Sequence, residues 1–293
     1  MYHIICNHTS GRDKKKIKII NEVKSYLDKE EIEYLWHETE YQGHPSIIAK
    51  EIENEYNSGN IIVIGGDGTL NEVLRGIDDP SKFNFGIVPT GSGNDFAQNI
   101  GINPKEVTKN IERIVKGNAS KIDYIKVNDT KCINIIGTGI DVLVLQKFEK
   151  HKKLKGSFRY LVSLIGALIT FKWYEFDLSI DDKEFEHKKG FVVALCNGST
   201  FGGGIPICKG AKVDDEKLEF VFVSKMPRIK IIPYLFSLLK GNITKKKEAE
   251  HVYCDKVIFK SDQEFVMQID GNLDKVYSEY VCEIIKGGTN FYK

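Results

Sequence analysis

Apolar positions in the N-terminal part of the chain alternate between two rhythms. Short β-branched runs at 2–6, 32–37, 61–64 and 85–88 predict strands. Between them Ile20, Val23 and Leu27 mark one helical face. Ile48, Ile52 and Tyr56 repeat at every fourth position before Gly59, which the pattern makes the residue closing that helix. Strand and helix in alternation are the signature of an α/β layer architecture around a mostly parallel sheet. The rhythm changes after Val127, where strand-like segments follow one another at 131–136, 175–180, 191–196, 218–223, 256–260, 265–269 and 280–285. Consecutive strands of this kind predict an antiparallel β-sandwich. Two helices interrupt them, at 158–171 and 229–239, each bracketed by lysines. The expected fold is α/β with two domains, an α/β domain over 1–127 that 286–293 can rejoin and a β-sandwich domain over 128–285.

Composition narrows the class without changing the architecture. The chain has 293 residues, formal net charge +1 and 41% hydrophobic residues, values of an ordinary globular protein that exclude a disordered chain or a general polyanion binder. Six cysteines lie far apart with no C-x-x-C pair, which reads as core thiols in a reducing, cytoplasmic compartment. The N-terminus lacks the apolar core of a signal peptide. The longest apolar stretch, 160–171, contains Ser163 and Gly166 and falls short of the ~20 residues that span a bilayer.

The most informative segment runs Ile61-Ile-Val-Ile-Gly-Gly-Asp-Gly-Thr-Leu-Asn-Glu-Val73, an apolar strand entering a glycine-rich turn and then a helix. Gly65, Gly66 and Gly68 let backbone approach a ligand closely, and N–H groups at the helix start can point at an anion. Thr69 is the expected helix N-cap, and Asp67 the charged group able to orient Mg²⁺ or a reacting hydroxyl. A second turn, Ile87-Val-Pro-Thr-Gly-Ser-Gly-Asn-Asp-Phe-Ala97, also follows a strand. Two such turns would lie side by side at the C-terminal edge of one sheet, where open α/β folds bind ligands. Neither G-x-x-x-x-G-K-[ST] nor a complete G-x-G-x-x-G is present, so an ordinary P-loop or dinucleotide site is not expected.

These two turns together resemble the catalytic domain of the diacylglycerol kinase family, specifically its soluble bacterial lipid kinases, with sphingosine and ceramide kinases as relatives. The carrying residues are Gly65-Gly-Asp-Gly-Thr69 with Asn71 and Glu72, then Thr90, Gly91, Ser92, Asn94 and Asp95. Asn7, Thr9, Ser10 and Gly11 are similar to the family's N-terminal nucleotide loop, and Thr39 with Gly43-His44 to its next nucleotide-side motif. Gly137-Thr-Gly-Ile-Asp141, Asn197-Gly and Phe201-Gly-Gly-Gly204 are similar to later signatures. The resemblance implies an N-terminal nucleotide-binding domain of NAD kinase and diacylglycerol kinase type, a C-terminal β-sandwich for the lipid, and transfer of phosphate from ATP, with Mg²⁺, to a lipid hydroxyl in a cleft between them. Diacylglycerol is the expected acceptor.

The same resemblance places a metal loop at 211–218. It implies that Mg²⁺ takes the Asp215 carboxylate and the carbonyls of Lys212 and Lys217, an all-oxygen set suited to a hard cation, with Asp123 in the family's aspartate motif at the domain junction. Glu216 stands where a glycine is usual, and the upstream proline of the pattern is missing. The largest departure is Ile269-Asp-Gly-Asn272, where the family has Asp-Gly-Glu with the Glu as general base. Asn272 can hydrogen-bond a hydroxyl and cannot accept its proton. Asp270, Asp67, Asp274 or the phosphate itself could take that role, so Asp67, Asp270 and Asn272 form the expected catalytic set. A homologue that kept its nucleotide and lipid pocket and lost catalysis is the alternative from a different class, and a kinase for a soluble acceptor such as NAD is a second enzyme reading.

Lysines concentrate at 14–16, at 150–159 before the 158–171 helix, and at 245–247 after the second helix. Near an anionic leaflet each basic residue contributes about 1 kcal/mol, so a peripheral membrane surface is an expected partner; the bland alternative is a set of solvated faces. No His/Cys/Asp set has zinc spacing. His37 and His44 fall near the expected nucleotide face. No motif organises the lysines for nucleic acid, and no coiled-coil pattern fixes a partner chain, so a monomer or homodimer is expected.

Overall fold

The computed structural model describes residues 1–7, 14–150, 162–163, 166–168 and 170–293. The chain divides into two units, the first comprising Met1–Tyr124, Val213–Glu216 and Ile285–Lys293, the second Ile125–Lys212 and Lys217–Ile284. The chain leaves the first unit inside strand β5 (Ala119–Val127) and comes back to it twice.

In the first unit β1 (Tyr2–Asn7), β2 (Tyr34–Thr39), β3 (Gly59–Gly65) and β4 (Phe83–Pro89) form a parallel sheet in the order β2-β1-β3-β4. Asn290 and Phe291, near the end of β15 (Asn272–Tyr292), extend it in parallel beside β4. Ile61, Ile62, Val63 and Ile64 are all buried, as expected of a strand covered on both faces. The helices are α1 (Lys14–Lys29), α2 (His44–Glu55), α3 (Asp67–Gly76), the short α4 (Asp95–Asn99) and α5 (Val107–Lys116). Ile20, Val23 and Leu27 pack into the core with Ile62 and Ile64.

Two boundaries differ from the pattern. Ile32 belongs to the stop of α1, because its N–H bonds the Leu27 carbonyl at 2.9 Å past a left-handed Glu31 (φ 52°), the Schellman arrangement; the strand starts after it. Gly59 does not close α2, which ends at Tyr56 with its N–H on the Ile52 carbonyl; Gly59 opens β3.

The second unit contains β6 (Thr130–Cys132), β7 (Ile135–Gly139), α6 (Ile140–Lys150), β8 (Tyr174–Ile180), β9 (Glu186–Cys196), a small hairpin of β10 (Thr200–Phe201) and β11 (Ile205–Pro206), β12 (Leu218–Ser224), α7 (Ile231–Leu239), β13 (Ala249–Cys254) and β14 (Lys256–Ile269). Every pairing among its strands is antiparallel, running β13-β12-β9, with β7 and β8 taking successive lengths of both β9 and β14, and β15 on the other edge of β14. Side chains alternate between two cores. Phe220 and Phe222 join one cluster with Val193 and Leu195, whereas Val221 and Val223 join another with Val192, Ala194 and Cys196. Ile140 and Val144 of α6 and Ile231, Tyr234 and Leu238 of α7 cover that second face.

The run expected as one strand over 131–136 is two, broken at Ile133 and Asn134, whose N–H groups bond Asp270 instead of a neighbouring strand. The runs at 256–260 and 265–269 are one long strand with a register shift between Lys260 and Phe265; the polar residues between them form a bulge, not a turn. The helix expected over 158–171 falls largely outside the described residues, as do most of the lysines before it. All six cysteines are buried, and none is in a disulfide. Among the described residues no helix is long and apolar enough to cross a membrane.

Candidate functional site

Parallel register aligns the C-terminal ends of the first unit's strands, with Asn7 beside Thr39 and Gly65 beside Pro89. The strand order reverses direction between β1 and β3, and open sheets of this kind bind ligands at such a switch point. Asn7 Nδ2 donates to Thr69 Oγ1 across it at 2.8 Å. Thr69 is therefore not the N-cap; α3 begins two residues earlier after an extended Gly66. Thr39 is only 2% exposed, and its hydroxyl has no hydrogen-bond partner among the described residues. A buried hydroxyl of this kind at the strand ends has hydrogen-bonding capacity to spare. Thr9, Ser10 and Gly11 lie outside the described residues.

The two glycine turns are locked to one another. A Cβ on Gly66 would come 2.9 Å from Gly91 Cα, and one on Gly91 would come 2.7 Å from Gly66 Cα, so backbone meets backbone where no side chain fits. Thr90 N–H donates to the Gly65 carbonyl at 2.8 Å. The Asp67 carboxylate takes the Asp95 N–H on Oδ2 at 2.9 Å and the Phe96 N–H on Oδ1 at 3.1 Å. Those are the first two N–H groups of α4, which are orphan donors in any helix, and Asn94 before them offers no side-chain cap. The first turn thus caps the helix of the second. Asn94, in the left-handed region at φ 54°, closes its own loop by accepting from Gly91 N–H at 3.0 Å and donating to the Gly91 carbonyl at 2.7 Å. Ser92 is left exposed at the tip.

Asn71 and Glu72 follow on α3. Asn71 is buried, and Glu72 Oε2 accepts the N–H of Gly43, the N-cap residue of α2, at 2.9 Å. Burial pushes the Glu72 carboxyl above its ordinary value, opposed by that N–H and by Arg75. His44 stacks on Tyr41 and accepts the Glu40 N–H at 3.1 Å. His37 faces His3, their ring nitrogens 3.3 Å apart.

Asp123, expected among the metal ligands, has another task in the structure. Its carboxylate accepts the Glu216 N–H at 2.8 Å and the Gly287 N–H at 2.6 Å, while its own N–H donates to the Val213 carbonyl at 2.7 Å. It is a buried clasp that holds the 213–216 loop beside the returning C-terminal strand. Glu216 adopts φ 60°, the left-handed conformation a glycine would take freely. Asp214 pairs with Lys293, and Asp215 is half-buried on the same loop. Lys212 and Lys217 stand exposed at its two ends.

In the second unit the Asp-Gly-Asn turn joins β14 to β15 with Asp270 at φ 50° and Gly271 at φ 80°, the conformation of a type I′ hairpin. Asp270, expected as a proton acceptor, is an anchor here. Its Oδ1 accepts the Asn134 N–H at 2.9 Å, the Ile135 N–H at 3.2 Å and the Cys132 thiol at 3.1 Å, and its Oδ2 accepts the Ile133 N–H at 2.9 Å. Gln268 Oε1 takes the Gly271 N–H at 2.8 Å. Asn272 is half-buried, and its side chain makes no hydrogen bond with the described residues. The Asp274 side chain lies outside them.

Beside this turn is an apolar cavity of about 90 Å³ whose walls include Gly271 and Gln268, Ile140 and Val144 of α6, Phe201, and Leu239 of α7. Leu239 also belongs to an exposed stripe, Ile229 (81% exposed), Ile232 (56%), Phe236 (62%) and Leu239 (51%), at successive helical spacings of three and four. Alongside runs a groove of about 350 Å³ lined by Phe236, Lys240, Lys245 and Lys246 among others. The lysines at 245–247 were legible; the exposure of this stripe was not, since its spacing fits a buried helix face equally well. Nothing local marks Gln268 or the 132–135 cradle.

Residues 1–127 match the family model described as the diacylglycerol kinase catalytic domain, and residues 134–280 that described as the YegS C-terminal NAD kinase beta sandwich-like domain. A diacylglycerol kinase of Staphylococcus saprophyticus is 28% identical over 274 residues, covering 92% of this chain and 87% of that one. Among solved structures, a diacylglycerol kinase from Bacillus anthracis has a TM-score of 0.71 at 19% identity, over 99% of this chain and 96% of that one. An NAD kinase from Archaeoglobus fulgidus in complex with ATP has a TM-score of 0.56 at 12% identity, over 100% and 94%. At such identities the two structures share the fold.

Proposed function

The chain belongs to the diacylglycerol kinase family, a family of lipid kinases, and from that premise we propose that it transfers the terminal phosphoryl group of ATP to the hydroxyl of a lipid alcohol, diacylglycerol foremost. Bound ATP would supply the phosphoryl group, and Mg²⁺ would supply neutralisation of its charge. The chain's part is to hold and align. Asn7, Thr39, Thr69 and the paired glycine turns present backbone N–H groups and hydroxyls at the strand ends, suited to phosphate and ribose oxygens. Asp215, with main-chain oxygens of its loop, would hold Mg²⁺, and Asp123 keeps that loop in place.

The observation that carries the acceptor class is the apolar cavity walled by Gly271 of the Asp-Gly-Asn turn and Leu239 of the exposed stripe. Apolar-lined cavities take apolar ligands. The stripe and its flanking lysines dock the second unit on an anionic bilayer, where each buried large apolar side chain contributes about 1.5–3 kcal/mol. A soluble acceptor such as NAD needs neither feature.

Asn272 favours a second reading, a lipid- and nucleotide-binding homologue without catalysis, because an amide cannot take the proton of the hydroxyl. Incubation with Mg²⁺ and γ-labelled ATP against a panel of lipid alcohols and NAD, with wild type and Asn272→Glu in parallel, separates the readings. Label on one lipid with wild type supports the proposal and names the acceptor. Label on NAD alone refutes it. Transfer only by Asn272→Glu assigns the natural chain a binding role.

A further inference from the structure

Outside the surfaces already described, one cluster in the second unit gathers three different metal-ligating side chains. Cys208 Sγ lies 2.5 Å from Glu219 Oε2, His251 Nε2 lies 2.5 Å from the same oxygen, and the sulfur and the ring nitrogen are 3.5 Å apart. The three donor atoms fall within 4.8 Å of one another. They come from separate places in the sequence: Cys208 from the segment after β11, Glu219 from the start of β12 and His251 from β13. Sheet register makes the convergence, with β12 and β13 antiparallel neighbours. Cys196 faces Glu219 across the β9–β12 register, and its thiol lies beside Cys208.

The electrostatics of the cluster ask for a cation. Glu219 is 4% exposed and Cys208 1%, inside an apolar face built from Val221, Val223, Ile207 and Ile243. Among the described residues no lysine or arginine pairs with Glu219; His251 is its one ion-pair partner. A buried carboxylate is costly unless it is paired or coordinates a metal. His251 sits at the exposed end of the cluster, its side chain 29% accessible, which gives an ion a way in.

We propose that Cys208, Glu219 and His251 form a binding site for a borderline-soft divalent transition metal, zinc(II) by its ligand set. One thiolate, one imidazole and one carboxylate are the donors Zn²⁺ favours, and three protein ligands leave a fourth position for water or for the neighbouring Cys196. The thiol gives up its proton to solvent on binding. Mg²⁺ is not the occupant, because hard cations take oxygen ligands. The site ties β12 to β13 at the point where the chain comes back from the 213–216 loop. It stands whatever the fate of the lipid kinase reading.

The test uses the full chain, stripped with chelator and titrated with Zn²⁺ against a chromophoric competitor, then with Co²⁺ to read coordination by absorption. One Zn²⁺ per chain is expected, with a thiolate-to-cobalt charge-transfer band that Cys208→Ser abolishes. Loss of a direct ligand in His251→Ala should weaken Zn²⁺ binding by at least about tenfold, the low end of what even outer-shell changes cost. Circular dichroism checks folding; if Cys208→Ser does not fold, His251→Ala at the accessible end decides alone. No uptake by wild type, or uptake that His251→Ala leaves unchanged, overturns the proposal.

Discussion

Replacing Asp67 with asparagine keeps the size of the side chain and removes one of the two oxygens that cap α4. The Asp95 N–H at 2.9 Å and the Phe96 N–H at 3.1 Å each need an acceptor, and both residues are buried. An asparagine can satisfy one of them and presents an NH₂ group to the other. A hydrogen bond to a charged acceptor contributes about 1.5–3 kcal/mol, and an uncapped helix N-terminus costs about 0.5–2 kcal/mol. These overlap, so Asp67→Asn should destabilise the first unit by about 2 kcal/mol. For a unit of this size that is a fall in Tm of about 4–8 °C. Scanning calorimetry measures it, alongside phosphoryl transfer. The loop carrying Thr90 to Asn94 should loosen with its helix, raising KM for ATP as well as lowering kcat, since misplacement by about 1 Å can cost on the order of 10²-fold. An unchanged Tm with lost activity would refute the clamp and give Asp67 a role on the ligand alone.

Asp270→Asn in the second unit should destabilise more than Asp67→Asn does, about 3 kcal/mol, because three backbone N–H groups converge on one carboxylate; a Tm equal to wild type would show that the anchor is dispensable. Burial, the largest cause for each ring, pushes His3 and His37 below the ordinary histidine value of 6.5; each ring's other charged neighbours are Glu55, with His37 and the N-terminal amine acting on His3 and Glu51 on His37. The folded chain therefore keeps both rings neutral where the unfolded chain protonates them, so stability is complete above 6.5 and falls as pH drops toward the folded-state values; denaturation from pH 8 to 5 should show this slope, flattened in His37→Phe, and an equal slope in both would sink the assignment. Phe236→Asp places a charge in the middle of the exposed stripe and should reduce binding to vesicles containing phosphatidylglycerol by at least about tenfold, read by co-sedimentation; unchanged binding removes α7 from the docking surface.

The local part of this structure was legible. A β-branched run followed by clustered glycines locates β3, β4 and both turns, because strand propensity and φ freedom are properties of the residues themselves. Hydrogen-bond partners far away in sequence were not. Thr69 looks like an N-cap because hydroxyls usually cap, yet its oxygen accepts from Asn7, at the end of β1. The break between β6 and β7 is invisible in an apolar run, since it is imposed by Asp270 from the far end of the second unit's chain. The Cys208, Glu219 and His251 cluster has no spacing to find, because antiparallel register and not contiguity brings it together. An apolar stripe at helical spacing reads alike whether it meets a core or solvent, so α7 could be located but not its exposed face.

Asp270 and Asn272, two residues apart in one turn and grouped by sequence as one catalytic set, separate physically. With three N–H groups and a thiol on its oxygens, Asp270 fixes the turn to the 132–135 segment. It cannot stand in for the missing glutamate without giving up the bonds that hold the turn. Asn272 carries no such duty, so Asn272→Glu changes the chemistry offered to a hydroxyl while leaving the hairpin's anchor intact. A loose phosphoryl-transfer transition state draws most of its stabilisation from positioning and metal, and a general base adds about 10²–10⁴-fold. With Asp270 held to its turn, a chain that transfers phosphate leaves the proton to Asp67, Asp274 or the phosphate itself, and the gain on restoring a carboxylate at 272 measures what that route lacks.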